Sequence, residues 1–331
     1  MADYKGIQGY SVQSLASDPT ASLAVGQLWY NSASNVWKVG TVGAGAWAAG
    51  AALNTPRPNN FGGADGTTTA TLVAGGGPAT PDFDNTETYN GTAWTETGNE
   101  LPQGTNANAI IGTTTAALSV GGEPVPAAAR TNIVNTYDGS SWTAGTSLSG
   151  SARNVMGKAG TQTAAFVFGG ETVPQGEEQW NGTSWTETAN MNTARCQAGS
   201  GGTTTAALCI AGATATGGPA PSVTTAVEEW NGTSWATITA ITAKRRALGA
   251  GVGSPTSAVA TGGSQPPSIK NTEIWNGTSW TEGADQTYQF YKNAIAGTGT
   301  AAIMVAQQNP PWATTEVWSG APESIETVTT S

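Results

Sequence analysis

The phrase WNGTSW stands unchanged at 180–185, 230–235 and 275–280, with looser copies YNGTAW at 89–94, YDGSSW at 137–142 and VWSGA at 317–321. Asn-Gly or Asp-Gly beside aromatic and polar residues is a strong hairpin signal, because glycine enters left-handed backbone without steric cost. A two-residue loop at Asn181-Gly182 would set Trp180 opposite Thr183, leaving Trp180 and Trp185 as a diagonal pair. A four-residue loop would set the two tryptophans directly opposite. Side chains alternate faces with period two, so either loop puts both rings on one side of the hairpin.

A second phrase precedes each hairpin: GTTTATLVAGG at 66–76, GTTTAALSVGG at 112–122 and GTQTAAFVFGG at 160–170, with further copies from 202, 253 and 297. The hairpin aromatics Tyr89, Tyr137, Trp180, Trp230, Trp275 and Trp318 recur every 43 to 50 residues. Four short strands in such a period make one blade of a β-propeller. The stretch AWAAGAALNTPR at 46–57 aligns with SWTETANMNTAR at 184–195, so Trp47 takes the place of Trp185. The last unit lacks a good fourth strand, and the strand around Trp47 supplies it. The expectation is an all-β chain: a six-bladed propeller over 41–322 closed by an N-terminal strand, a hairpin module at 1–40 and a tail at 323–331.

Composition removes several chemistries. The chain has no histidine, hence neither the commonest general base nor the commonest metal ligand. No cofactor or metal is expected. A net charge of −10 argues against a phosphate-binding groove and against nucleic acid as a partner. Cys196 and Cys209 read as two small buried thiols. The opening MADYKGIQGY has neither a basic nor an apolar signal-peptide region, and nowhere do 18 apolar residues run together. Synthesis in a host cytoplasm without membrane insertion is therefore expected.

The segment Asp18, Pro19, then Gly26-Gln27-Leu28-Trp29-Tyr30-Asn31 resembles small hairpin modules of bacteriophage structural proteins. The order Gly-Gly, Glu-x-aromatic, Trp over 46–320 resembles Kelch repeats of galactose-oxidase-type propellers. Its residues are Gly75-Gly76, Gly121-Gly122, Gly169-Gly170 and Gly262-Gly263, with Glu87, Glu178, Glu228, Glu273 and Glu316. The sequence departs from the pattern at Ala211-Gly212, Ala306-Gln307 and Asn135, where less regular blades are expected. The NTAR, GTQTAA and NGTSWTE dialect is similar to propeller arrays of marine phage virion proteins. These resemblances imply a non-enzymatic virion structural protein, a tail fibre or capsid-surface adhesin, whose loop face meets a host surface glycan or protein. A glycan-processing enzyme of sialidase type and a ligand-free decoration protein are the alternatives. Without histidine, copper oxidase chemistry is excluded.

Sialidases are also six-bladed and need an arginine cluster, a tyrosine and an acid in a central cleft. Arg153, Arg195 and Arg246 each stand seven residues before the Gly of their G-T-T-T phrase, with Arg57 displaced by two. Recurrence with the repeat makes them architectural: arginines opening each inner strand, paired with the repeated glutamates or with carbonyls. The glutamates read as ties between blades; a catalytic carboxylate would break the symmetry, as Asp82 and Asp84 do. Variation concentrates in the Pro-rich loops between second and third strands, where Phe83, Arg130 and Trp312 are the expected contacts, because aromatic and Arg side chains dominate binding hot spots. In the N-terminal module Trp29, Tyr30 and Trp37 are expected to serve attachment to other virion proteins or homo-oligomerisation, since a lone hairpin is marginal in water.

Overall fold

Backbone hydrogen bonding sorts the chain into seven four-stranded sheets and one two-stranded sheet, and no described residue is helical. The computed structural model describes residues 13–19, 27–58, 63–76, 83–126, 129–172, 175–214, 223–246, 251–264, 268–306, 311–320 and 323–328. Two units separate: Met1–Gly45 with Ala321–Ser331, and Ala46–Gly320.

The second unit holds six four-stranded sheets, the blades. In blade 3, Gly157–Thr161, Ala164–Phe168, Glu177–Trp180 and Trp185–Glu187 run antiparallel in sequence order. Blades 1, 2, 4 and 5 repeat that order from Ala64, Ala109, Gly199 and Gly251. Blade 6 takes Ala294–Gly297, Ala301–Val305 and Thr315–Ser319 from one end of the unit and Ala46–Ala49 from the other. The first strands lie side by side in chain order, with the sixth beside the first. The ring is closed, and this is the propeller expected from the repeat.

The hairpin signature resolves into the four-residue loop. Trp180 pairs with Trp185, Trp230 with Trp235 and Trp275 with Trp280. Asn181 does not need a left-handed backbone; its side-chain oxygen accepts the Thr183 and Ser184 amides, both at 2.9 Å. Gly182 alone takes positive φ, at 91°. The asparagine is therefore an Asx-turn acceptor, and Asp138 does the same in YDGSSW.

Each aromatic plate packs on the second strand of the preceding blade. Trp180 and Trp185 cover Leu118 and Val120; Trp230 and Trp235 cover Phe166; Tyr89 and Trp94 cover Ile303 and Val305 of blade 6. One buried tryptophan removes 150–250 Å² from water, about 4–6 kcal/mol of gross stabilisation. The repeated WNGTSW is thus the joint between blades. Ala211 and Ala306 do not disturb this order: they adopt the left-handed φ of the glycines they replace, 55° and 62°, and blades 4 and 6 keep four strands.

In the first unit, Leu28–Asn31 and Val36–Val42 form the expected hairpin, with Tyr30 opposite Trp37. Gln13–Leu15 adds in parallel on one side and Glu323–Thr327 antiparallel on the other. The segment set apart above as a tail is therefore a strand of this sheet, which relieves the marginal stability of a lone hairpin. Asp18 ties the DP and GQLWYN segments together, accepting the Trp29 indole N–H at 3.1 Å and the Asn31 amide at 2.6 Å. Trp29 is only 2% exposed, so it is core here rather than a docking contact. Tyr30 and Trp37 stay partly exposed, edge to face at 5.6 Å.

Candidate functional site

Most of the conspicuous charge is structural. Arg57, Arg153, Arg195 and Arg245 are buried against Glu87, Glu178, Glu228 and Glu273. Each arginine also donates to backbone, as Arg153 does to the Gly176 carbonyl at 3.0 Å and Arg245 to that of Asn271 at 2.8 Å. Each glutamate accepts amides of the chain arriving from the previous blade: Ser149 and Gly150 on Glu178, Asn192 and Thr193 on Glu228, Thr242 and Ala243 on Glu273. Blade 6 keeps the glutamate alone, Glu316 accepting the Thr287 amide. In blade 2 both partners are missing together, with Thr105 and Asn135 in their places. Spacing alone picked Arg246 as the blade-5 member; the ion pair uses Arg245, one residue earlier.

The three expected loop contacts fare differently. Phe83 is 5% exposed, so its ring is core rather than a ligand contact, and its backbone lies close against Gly104. Trp312 is 40% exposed in the blade-6 loop. Asp82 lies outside the described residues. Arg130 belongs to a polar cluster drawn from several blades, on the face of the second-to-third-strand loops.

That cluster breaks the repeat symmetry. Glu123 and Glu171 directly follow the diglycines of blades 2 and 3, and in the other blades this place holds Gly77, Ala213, Ser264 and Gln308. The Asn154 side-chain nitrogen donates to both carboxylates, to Glu123 at 2.5 Å and to Glu171 at 3.3 Å. Arg130 donates to Glu171 at 2.6 Å and to the Asn154 oxygen at 3.1 Å. Gln197 of the next blade donates to the other Glu171 oxygen at 3.2 Å. Burial works to raise the Glu171 pKa, but the hydrogen bonds from Arg130, Asn154 and Gln197 outweigh it and hold the carboxyl below its ordinary range.

Two cations from blades 5 and 6 complete the group. Lys292 feels Arg246 on one side and Glu123 and Glu171 on the other; burial first, then Arg246, lowers its pKa. Its ammonium lies 5.7 Å from the centre of the Tyr291 ring. The Arg246 Nε is buried and has no hydrogen-bond partner among the described residues. Gln197 and Lys292 both sit two residues beyond the arginine position with left-handed φ, 55° and 53°. Ala107 and Val155 share that conformation, so it belongs to the repeat rather than to this cluster. The sequence carried one legible signal of the site, the Gly-Gly-Glu present in only two units.

No family model and no curated protein matches this sequence. Among solved structures, that of YjhT is similar, with a TM-score of 0.66 at 10% identity over 83% of this chain and 99% of that one. The two share the propeller fold. This neighbour corrects one expectation, that of a non-enzymatic chain. The scaffold is of the kind that also carries sialidases, so repeat-bound arginines and missing histidines do not set catalysis aside.

Proposed function

We propose that the propeller is a glycan-processing protein of sialidase type, acting at the Glu123–Asn154–Glu171 cluster. The observation that carries this reading is the single Asn154 amide bonded to two carboxylates that occur nowhere else in the repeat. Two acids flanking one position are what most glycosidases use, one protonating the leaving oxygen while the other stabilises the oxocarbenium-like carbon or activates water, and here the second acid stands in place of the tyrosine of sialidases. Glu171, held ionised by three donors, takes the second role, and Glu123 the first. Arg246 and Lys292 favour a sugar that carries its own carboxylate, which would supply the missing partner of the Arg246 Nε.

The setting we infer is a Kelch-like protein of a phage virion. The Asp18–Trp29–Asn31 knot supports it, because it gives the phage-like DP and GQLWYN residues a shared structural purpose. The first unit would then join other virion proteins or further copies of the chain through Tyr30 and Trp37.

A panel of fluorogenic glycosides, acidic and neutral, tests the main reading. Release from an acidic member, with KM raised about tenfold or more by Lys292→Met and kcat little changed, supports it. Equal turnover of neutral sugars by both proteins removes the role of the cations, and no turnover of any member counts against the enzyme reading itself.

A further inference from the structure

The axis of the ring holds a cavity of about 650 Å³ that opens on the opposite face, where first and second strands turn. Every blade contributes a hydroxyl to its rim: Thr67, Thr113, Thr161, Thr203, Ser254 and Thr298. Its inner end reaches Gln197, the residue whose amide holds Glu171. Two charged side chains line it among the described residues, Lys158 and Asp65, 3.9 Å apart.

Lys158 is singular in the repeat. The same place in the other first strands is Ala64, Ile110, Ser200, Gly251 and Ile295. Its side chain is 12% exposed, and its nitrogen donates to the Ala64 and Ile110 carbonyls of blades 1 and 2. An uncharged amine has two N–H bonds and one lone pair. Both N–H bonds are anchored here, which leaves the lone pair free. Asp65 is fixed by the amides of Gly66 at 2.8 Å and Gly112 at 3.0 Å, so it stands beside the nitrogen as a proton carrier.

We propose that this channel is a second site, in which the Lys158 amine captures the aldehyde of an open-chain sugar as an imine. The lone pair attacks the carbonyl carbon, and the Asp65 carboxylate takes one proton from the nitrogen, now positively charged, and passes it to the carbonyl oxygen to give a carbinolamine. The same carboxylate then moves the remaining nitrogen proton to that hydroxyl, which leaves as water and leaves the neutral imine. Amine and aldehyde thus give imine and water, with no oxidant or reductant involved. The hydroxyl rim selects a polyol chain, since neutral groups that both donate and accept match sugar hydroxyls. Burial lowers the Lys158 pKa and the nearby Asp65 charge offsets this in part, so the uncharged amine is more accessible than in an exposed lysine. None of this depends on the chemistry assigned to Glu123 and Glu171.

The test is reductive trapping on the intact chain. The protein is incubated at pH 7 with glyceraldehyde and sodium cyanoborohydride, digested, and mapped by mass spectrometry. Lys158 is expected to be alkylated at least tenfold faster than the exposed Lys244, and Asp65→Asn to slow Lys158 alone. Propanal, which lacks hydroxyls, should label Lys158 more slowly than glyceraldehyde does. Labelling of Lys158 no faster than Lys244 overturns the proposal and leaves the amine a structural pin between three blades. Equal rates for the two aldehydes overturn the assignment to sugars.

Discussion

Trp47 stands directly opposite Trp318, ring centres 5.3 Å apart, although the two residues lie near opposite ends of the propeller unit. The Trp47 indole also donates to the Thr272 hydroxyl of blade 5 at 2.9 Å. One side chain thus closes the last sheet and ties it to its neighbour. Trp47→Ala should lower stability by about 3 kcal/mol, the low end for a Trp truncation because Trp47 is only partly buried. A chain begun at residue 58 leaves the Thr315–Ser319 edge open and should aggregate. Denaturant melts and light scattering check both; a monomeric truncated chain with unchanged melting rules the closure out.

The buried Arg195–Glu228 pair should behave as a unit. Arg195→Thr strands a buried carboxylate and should cost about 3–5 kcal/mol. The double change Arg195→Thr with Glu228→Asn copies blade 2, where Thr105 and Asn135 stand together, and should cost less than the single change. A double-mutant cycle in urea measures this directly. Additive costs would mean that the pair contributes only as two separate groups.

Glu177 is the one acid at the start of a third strand, where blades 1 and 5 have Thr86 and Thr272. Burial pushes its pKa up to about 8, against the hydrogen bond from Thr188, the nearby Trp235 indole N–H and the Arg153 charge, with Glu228 adding to the rise. Below that value the fold keeps a proton that the unfolded chain releases above roughly pH 4.3. Stability should therefore fall as pH rises from roughly 4.3 to about 8, and level off beyond. Glu177→Gln should flatten this slope and raise the melting temperature at pH 8. Parallel pH profiles for the two proteins would contradict it.

The repeat made the architecture legible, because each phrase serves one joint. WNGTSW is the plate between blades, and the glutamate two before it grips the incoming chain. The choice between Arg245 and Arg246 was not legible: adjacent identical residues differ only in which way the backbone turns them. Phe83 misled because a loop aromatic reads the same whether it faces solvent or is buried. The cluster at Asn154 stayed hidden for a different reason. Its members come from blades 2 to 6 and meet only once the ring is closed, so beyond the Gly-Gly-Glu of two units no local spacing announces them.

The most direct measurement separates binding from turnover at Glu171, using an array of acidic and neutral glycans. Glu171→Gln keeps the shape of the side chain and removes the charge that Arg130, Asn154 and Gln197 hold. The account predicts that the wild-type protein releases sugar from an acidic glycan, and that the variant stays bound to the same glycan while release falls at least a thousandfold with melting unchanged. Release by the variant at the wild-type rate would contradict it.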